Sequence, residues 1–226
     1  VTFPVYQAAG GQVEAMAYSP DDKNLVIMGS FYDSTTGENL YSLLGHTKPL
    51  SSLSFDQSGM QLITGSYDGT VKLWDLSPEH EVMTFSHPSD YLYGVAFSPD
   101  EKWLVTSGAD QTAVVWDAHS AEKLWTLQGH TDTVNSVAFS PDGNLLATGG
   151  ADRLVLVWDT HSWQVLHSLA GYGEDRTGVP PIRGVFAVAF SPLCADTASG
   201  QCPLAGVGHD GQLIVWDALS GQHQFT

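Results

Sequence analysis

The chain has 226 residues, with 25 acids against 8 Lys and Arg and a formal net charge of −17. That balance argues against sequence-independent nucleic-acid binding, which needs cations to displace phosphate counterions, and it disfavours anionic membrane surfaces. No apolar run approaches the roughly 18 residues of a membrane span, and the length supports one sizeable domain with its own core.

Residues 1–12 carry a short extended segment, Val1 to Gln7, and then a Gly-rich turn. There is no basic stretch ahead of an apolar one, so no signal peptide is read here, short of one already removed by processing. Val13 to Tyr18 then reads as a strand, Ser19-Pro20-Asp21-Asp22 as a turn, and Leu25 to Met28 as a second strand. Three regular units follow, each with strands ending in VKLW (71–74), AVVW (113–116) or LVLVW (154–158). β-Branched and aromatic residues suit strands, and the near-continuous apolar character predicts sheets covered on both faces. Turns such as Tyr67-Asp68-Gly69 and Ser98-Pro99-Asp100 supply the residues that tight turns demand.

The Trp-Asp dipeptide measures the period. Trp74-Asp75, Trp116-Asp117 and Trp158-Asp159 are 42 residues apart, Trp216-Asp217 follows 58 later, and Tyr32-Asp33 lies 42 before Trp74. In the regular units the aromatic before the turn lies 19 residues before the Trp, as Phe55 does before Trp74, whereas Tyr18 lies only 14 before Tyr32. A loop missing between Met28 and Tyr32 is therefore expected, in preference to a truncated unit, because Asp33 onward resumes the register. The last unit is instead expanded, once between Gly171 and Phe190 and again around Cys194 and Cys202. The two cysteines allow a local disulfide across that loop. Free thiols of an intracellular protein are the preferred reading, since a domain of this size needs no staple. Their spacing lacks the second pair of a zinc site, and the nine His form no metal-binding pattern.

A period of about 40–45 residues with Gly-His and Trp-Asp marks signals four-stranded propeller blades. The whole chain resembles the WD-repeat (WD40) β-propeller family. The resemblance implies an all-β fold of four-stranded antiparallel blades in a single domain, residues 1–226, with repeats at about 9–45, 46–86, 87–129, 130–170 and 171–226. Five repeats fall short of the seven blades most common in the family. Both ends also offer an outer strand, Val1–Gln7 and the segment from His223 to Thr226. A fragment of a larger ring is the expectation, with a complete five-bladed ring as the alternative.

The family carries a buried His–Ser/Thr–Asp–Trp network in each well-formed blade. Carried over, His46, Thr64, Asp68 and Trp74 form one set, and His130, Thr148, Asp152 and Trp158 another. Thr106, Asp110 and Trp116 match in the third regular repeat with His87 one residue out of register; Asp210 and Trp216 remain in the last, where Tyr172 replaces His and Gly206 replaces Thr. A Thr, a His and an Asp together invite a catalytic reading. Recurrence at blade period favours a structural one, because a nucleophile is needed once. No cofactor, metal or catalytic residue is expected.

The resemblance also places contact positions on the narrow top face, three and five residues after the His and one before the Asp. These are Pro49, Ser51 and Tyr67; Tyr91, Tyr93 and Ala109; Thr133, Asn135 and Ala151; Gly184, Phe186 and His209; and Gln12 and Glu14 in the first repeat. Tyr67, Tyr91, Tyr93 and Phe186 would ring one opening with aromatics, which are enriched at binding hot spots. The expected function is a non-enzymatic, cytoplasmic or otherwise intracellular scaffold in a multiprotein complex. It would dock a protein or peptide, with the acid excess favouring a basic one. A regulatory domain of a larger signalling protein and, more remotely, a propeller enzyme are the alternatives.

Overall fold

The computed structural model describes residues 13–77, 82–89, 91–171, 184–195 and 200–226. They form five four-stranded sheets, each with its strands in sequence order and antiparallel. Blade 1 holds β1 (Met16–Tyr18), β2 (Asn24–Ile27), β3 (Ser30–Asp33) and β4 (Asn39–Ser42). Blade 2 holds β5 (Leu50–Phe55), β6 (Gln61–Ser66), β7 (Thr70–Asp75) and β8 (Val82–Ser86). Blade 3 holds β9 (Leu92–Phe97), β10 (Trp103–Gly108), β11 (Thr112–Asp117) and β12 (Lys123–Gln128). Blade 4 holds β13 (Val134–Phe139), β14 (Leu145–Gly150), β15 (Val155–Asp159) and β16 (Gln164–Leu169). Blade 5 holds β17 (Val185–Phe190), β18 (Pro203–Gly208), β19 (Leu213–Asp217) and β20 (His223–Phe225). The one helical element among the described residues is a 3-10 turn at Pro192–Ala195. The expected outer strand Val1–Gln7, Gln12 and the expansion at 172–183 lie outside the described residues.

The apolar strands are buried on both sides because the blades stack face to face. In blade 4, Leu145, Ala147, Val155 and Val157 join Val188, Leu204, Ile214 and Trp216 of blade 5. The alternate residues Leu146, Leu156 and Trp158 join Val105, Ala113, Val115 and Leu127 of blade 3. Burying one such side chain contributes about 1.5–3 kcal/mol, so each stacked face outweighs any single polar bond in the blade. The inner strands pack in chain order, β1 on β5, β5 on β9, β9 on β13 and β13 on β17. Serines stitch some of these contacts: the Val95 N–H donates to Ser52 Oγ and the Val188 N–H to Ser136 Oγ, both at 3.2 Å.

The turns at one end explain the Ser-Pro-Asp marks. Ser19, Ser98 and Ser140 each donate a side-chain bond of 2.6–2.7 Å to the Asp two residues on. Each hydroxyl oxygen also accepts from the N–H five residues on. The Asp of the Trp-Asp mark has a separate task. Asp117, Asp159 and Asp217 each accept from the N–H and hydroxyl of a Ser three residues on, closing the turn into the outer strand.

Two features of the chain bear on the sequence reading in detail. Between β2 and β3, where a loop is expected to be missing, Met28 and Gly29 form a two-residue turn with φ of 49° and 83°. Positive φ at both positions suits the twist of a tight hairpin, and Ile27 pairs directly with Ser30. The preference for free thiols is overturned: Cys194 and Cys202 form a disulfide. The 3-10 turn after β17 bends the chain back, with the Cys194 N–H bonded to the Ser191 carbonyl, and brings the two Cα atoms to 4.0 Å. The argument from free thiols to an intracellular setting loses its support.

Candidate partner-binding face

In blade 2 the side chains His46, Thr64, Asp68 and Trp74 form one directed chain of hydrogen bonds. The Trp74 Nε1–H donates to Thr64 Oγ1 at 2.8 Å. The Thr64 hydroxyl lies 2.8 Å from His46 Nε2, and His46 Nδ1 lies 3.0 Å from Asp68 Oδ2. A carboxylate only accepts, so Nδ1 carries the proton and Nε2 accepts from Thr64. Burial pushes the His46 imidazole below its usual range, against the pull of Asp68, which keeps it neutral. Burial works against the charge on Asp68 too. Bonds from Thr70, Thr47 and His46 outweigh it and hold this carboxyl well below the usual range.

Blade 4 repeats the arrangement. Trp158 Nε1 to Thr148 Oγ1 is 3.0 Å, Thr148 Oγ1 to His130 Nε2 is 2.7 Å, and His130 Nδ1 to Asp152 Oδ2 is 2.9 Å. Asp152 is also depressed: burial is overcome by bonds from His130, Thr131 and Leu154. In blade 3 the Trp116–Thr106 bond survives at 2.9 Å, but His87 is displaced. Its Nδ1 accepts from the Ser89 N–H and stays 3.9 Å from Asp110, while its buried Nε2 has no partner among the described residues. In blade 5, Gly206 fills the Thr position beside Asp210 and Trp216, and Tyr172 lies outside the described residues.

These networks anchor the turns at the end of the molecule opposite the Ser-Pro-Asp turns. There, one backbone bond recurs in four blades. The residue before the network Asp donates its N–H to the residue ahead of the inner strand: Tyr67 to Pro49, Ala109 to Tyr91, Ala151 to Thr133, and His209 to Gly184, at 2.8–3.2 Å. Two of the three expected contact positions are thereby paired in each of these four blades.

Their side chains differ in what they present. Tyr67, Tyr91 and Tyr93 come together across blades 2 and 3, with Tyr67 at 6.2 Å from Tyr91 and 5.8 Å from Tyr93, ring centre to ring centre. Burial, and then the nearby Glu14 carboxylate of blade 1, push the Tyr67 hydroxyl above the usual tyrosine range. On blade 5 Phe186 is half exposed and lies against the His209 ring. Burial lowers His209 against the pull of Asp210. Pro49 is exposed and Thr133 half-buried. Ser51 is buried, and Asn135 donates from Nδ2 to the Val185 carbonyl at 2.9 Å, tying blade 4 to blade 5.

One aromatic cluster escaped the sequence reading. Trp163 packs 5.3 Å from both Trp103 and Trp125 at the join of blades 3 and 4. Its φ is 55°, at a turn position where blades 1 and 5 have Gly37 and Gly221. An aromatic residue at a position that wants glycine was the available signal. A cavity of about 430 Å³ at the Ser-Pro-Asp end, lined by Pro99, Lys102, Trp103, Asp142 and His161 among others, includes none of the expected contact residues.

The family model "WD40: WD domain, G-beta repeat" matches residues 37–75, 79–117 and 121–159, together just over half of the chain. Each match begins near the outer strand of one blade and ends with the third strand of the next, so a sequence repeat straddles two sheets. "Periodic tryptophan protein 2 homolog" of Schizosaccharomyces pombe is 48% identical over 68 residues, which is 30% of this chain and 8% of that protein. "Striatin" of Homo sapiens is 32% identical over 75 residues, 31% of this chain and 10% of that protein. "Target of rapamycin complex subunit wat1" of Schizosaccharomyces pombe is 35% identical over 89 residues, 37% of this chain and 28% of that protein. The chain spans less than a third of the length of each.

Proposed function

Because the chain belongs to the WD40 repeat family, we propose that it is a non-enzymatic scaffold that docks a protein or peptide on the face bearing Tyr67, Tyr91 and Tyr93. Members of this family typically serve as interaction scaffolds in complexes, and one relative is named as a complex subunit. The observation that carries the reading is the contiguity of the three tyrosines across two blades, at the end of the sheets where the network of blade 2 lies. Tyrosine supplies large contact area at low entropic cost and concentrates at hot spots. The acid excess and Glu14 favour a basic segment as the occupant.

The test uses peptides selected against the immobilised chain from a displayed library. The double variant Tyr91→Ala, Tyr93→Ala is expected to lose at least about 10-fold in affinity, the loss of one good hot spot, at an unchanged melting temperature. Equal affinity would remove the tyrosines from the docking face. A matching loss of thermal stability would assign them to the core.

A further inference from the structure

The tyrosine cluster already holds a cation, one supplied by the chain itself. Lys48 Nζ sits 5.1 Å from the centre of the Tyr91 ring. Lys48 is exposed, and among the described residues no carboxylate pairs with it within 4.0 Å. Its ammonium therefore rests on a π-face. Ring faces are negative and ring edges positive, and Tyr67 packs roughly edge-to-face with Tyr93. The Glu14 carboxylate acts on the Tyr67 hydroxyl, so a carboxylate borders the same cluster. A carboxylate and clustered aromatic rings on an exposed surface attract a cation, and they attract it more strongly once a partner excludes water.

We infer that Tyr67, Tyr91, Tyr93 and Glu14 form a seat for a cationic side chain of the docked partner, an ammonium or a guanidinium, and that Lys48 occupies it as a built-in competitor. The inference rests on the docking face proposed above and adds what that face selects. It also gives Lys48 an unusual sign: removing it frees the seat.

The test titrates the full chain, with ¹³C-labelled tyrosine rings, against methylguanidinium, methylammonium and tetramethylammonium chloride, with sodium chloride at matched ionic strength as reference. Saturable shifts of the Tyr67, Tyr91 and Tyr93 rings are expected with an organic cation and not with sodium, and the preferred cation identifies arginine-like, lysine-like or methylated ligands. Lys48→Gln should tighten binding roughly 2- to 5-fold, the size of an exposed cation–π contact, and Glu14→Gln should weaken it. Lys72→Gln removes the same charge from an ammonium bonded to Thr84 on the same blade, and should change nothing. Shifts that never saturate, that sodium reproduces, or that ignore Lys48→Gln would overturn the seat. The parent reading fails separately. If selected peptides need the tyrosines yet bind equally with every Lys and Arg replaced by norleucine and citrulline, docking stands and the cationic seat falls.

Discussion

Blades 3 and 4 carry the same Thr, Asp and Trp at the same spacing, and differ by one residue in where the His falls. In blade 4 every member passes its hydrogen onward, from Trp158 through Thr148 and His130 to Asp152. In blade 3 the slip turns His87 toward the Ser89 N–H and leaves Nε2 buried without a partner among the described residues. Yet the blade 3 sheet has full six-residue strands, and its Trp116 packs edge-on to Phe85 at 5.7 Å. The blade is held by its two apolar faces. The polar relay is an addition that fixes the turns and is felt most where it is complete.

The sharpest way to break this contrast is Asp152→Ala. It leaves His130 Nδ1 and the N–H groups of Thr131 and Leu154 unpaired, a loss of roughly 1–3 kcal/mol by chemical denaturation. An unchanged midpoint would mean that water satisfies these groups. Next is the pair Thr148→Val and Thr106→Val. Each hydrogen bond contributes about 1 kcal/mol, so the blade 4 variant, losing bonds to both Trp158 and His130, should cost about 2 kcal/mol and the blade 3 variant about 1. Equal costs would show that His130 adds nothing through the threonine.

The smallest effect is on acid stability. His46 and His87 sit below the usual imidazole range, chiefly through burial, so the unfolded chain takes up protons first as pH falls below about 6.5. Stability is lost from there down to the folded values. A second loss begins below about pH 4, where unfolded carboxylates protonate while Asp68 and Asp152 remain charged in the folded blades. Melting temperature should therefore fall in two steps, the first reduced in His87→Gln. A flat profile between pH 7 and pH 5 would refute the first step.

Much of this could be read from the residues because the repeat turns spacing into position. The networks of blades 2 and 4 stand where the family resemblance, laid on the 42-residue spacing, puts them, while the backbone pairing of Tyr67 with Pro49 and of Ala151 with Thr133 emerges only in the fold. Counting places a residue at the end of a strand but does not say where its side chain turns. Ser51 goes inward, Asn135 reaches across to Val185, and Tyr91 goes to solvent. The tryptophan cluster was hidden for another reason. Trp163 accepts a positive φ, ordinarily unfavourable for an aromatic residue, because burial against Trp103 and Trp125 offsets the strain. The Cys194–Cys202 bond depends on a 3-10 turn that no periodic pattern announces.

The short hairpin of blade 1 gives the proposed docking face a low side. Ile27 stands in register with Thr64, so the two residues by which β6 continues to Ser66 have no counterpart before the Met28–Gly29 turn. At about 3.3 Å per residue, the rim there is set back by roughly 7 Å relative to blade 2. Glu14 and Tyr67 border that step. Under the proposed docking, an extended segment lying across the tyrosines would meet, among the described residues, a low edge over which its backbone could leave sideways. Sequence beyond the docked residues would then be free to differ from one occupant to the next, and the proposed face would discriminate by the few side chains held inside the rim.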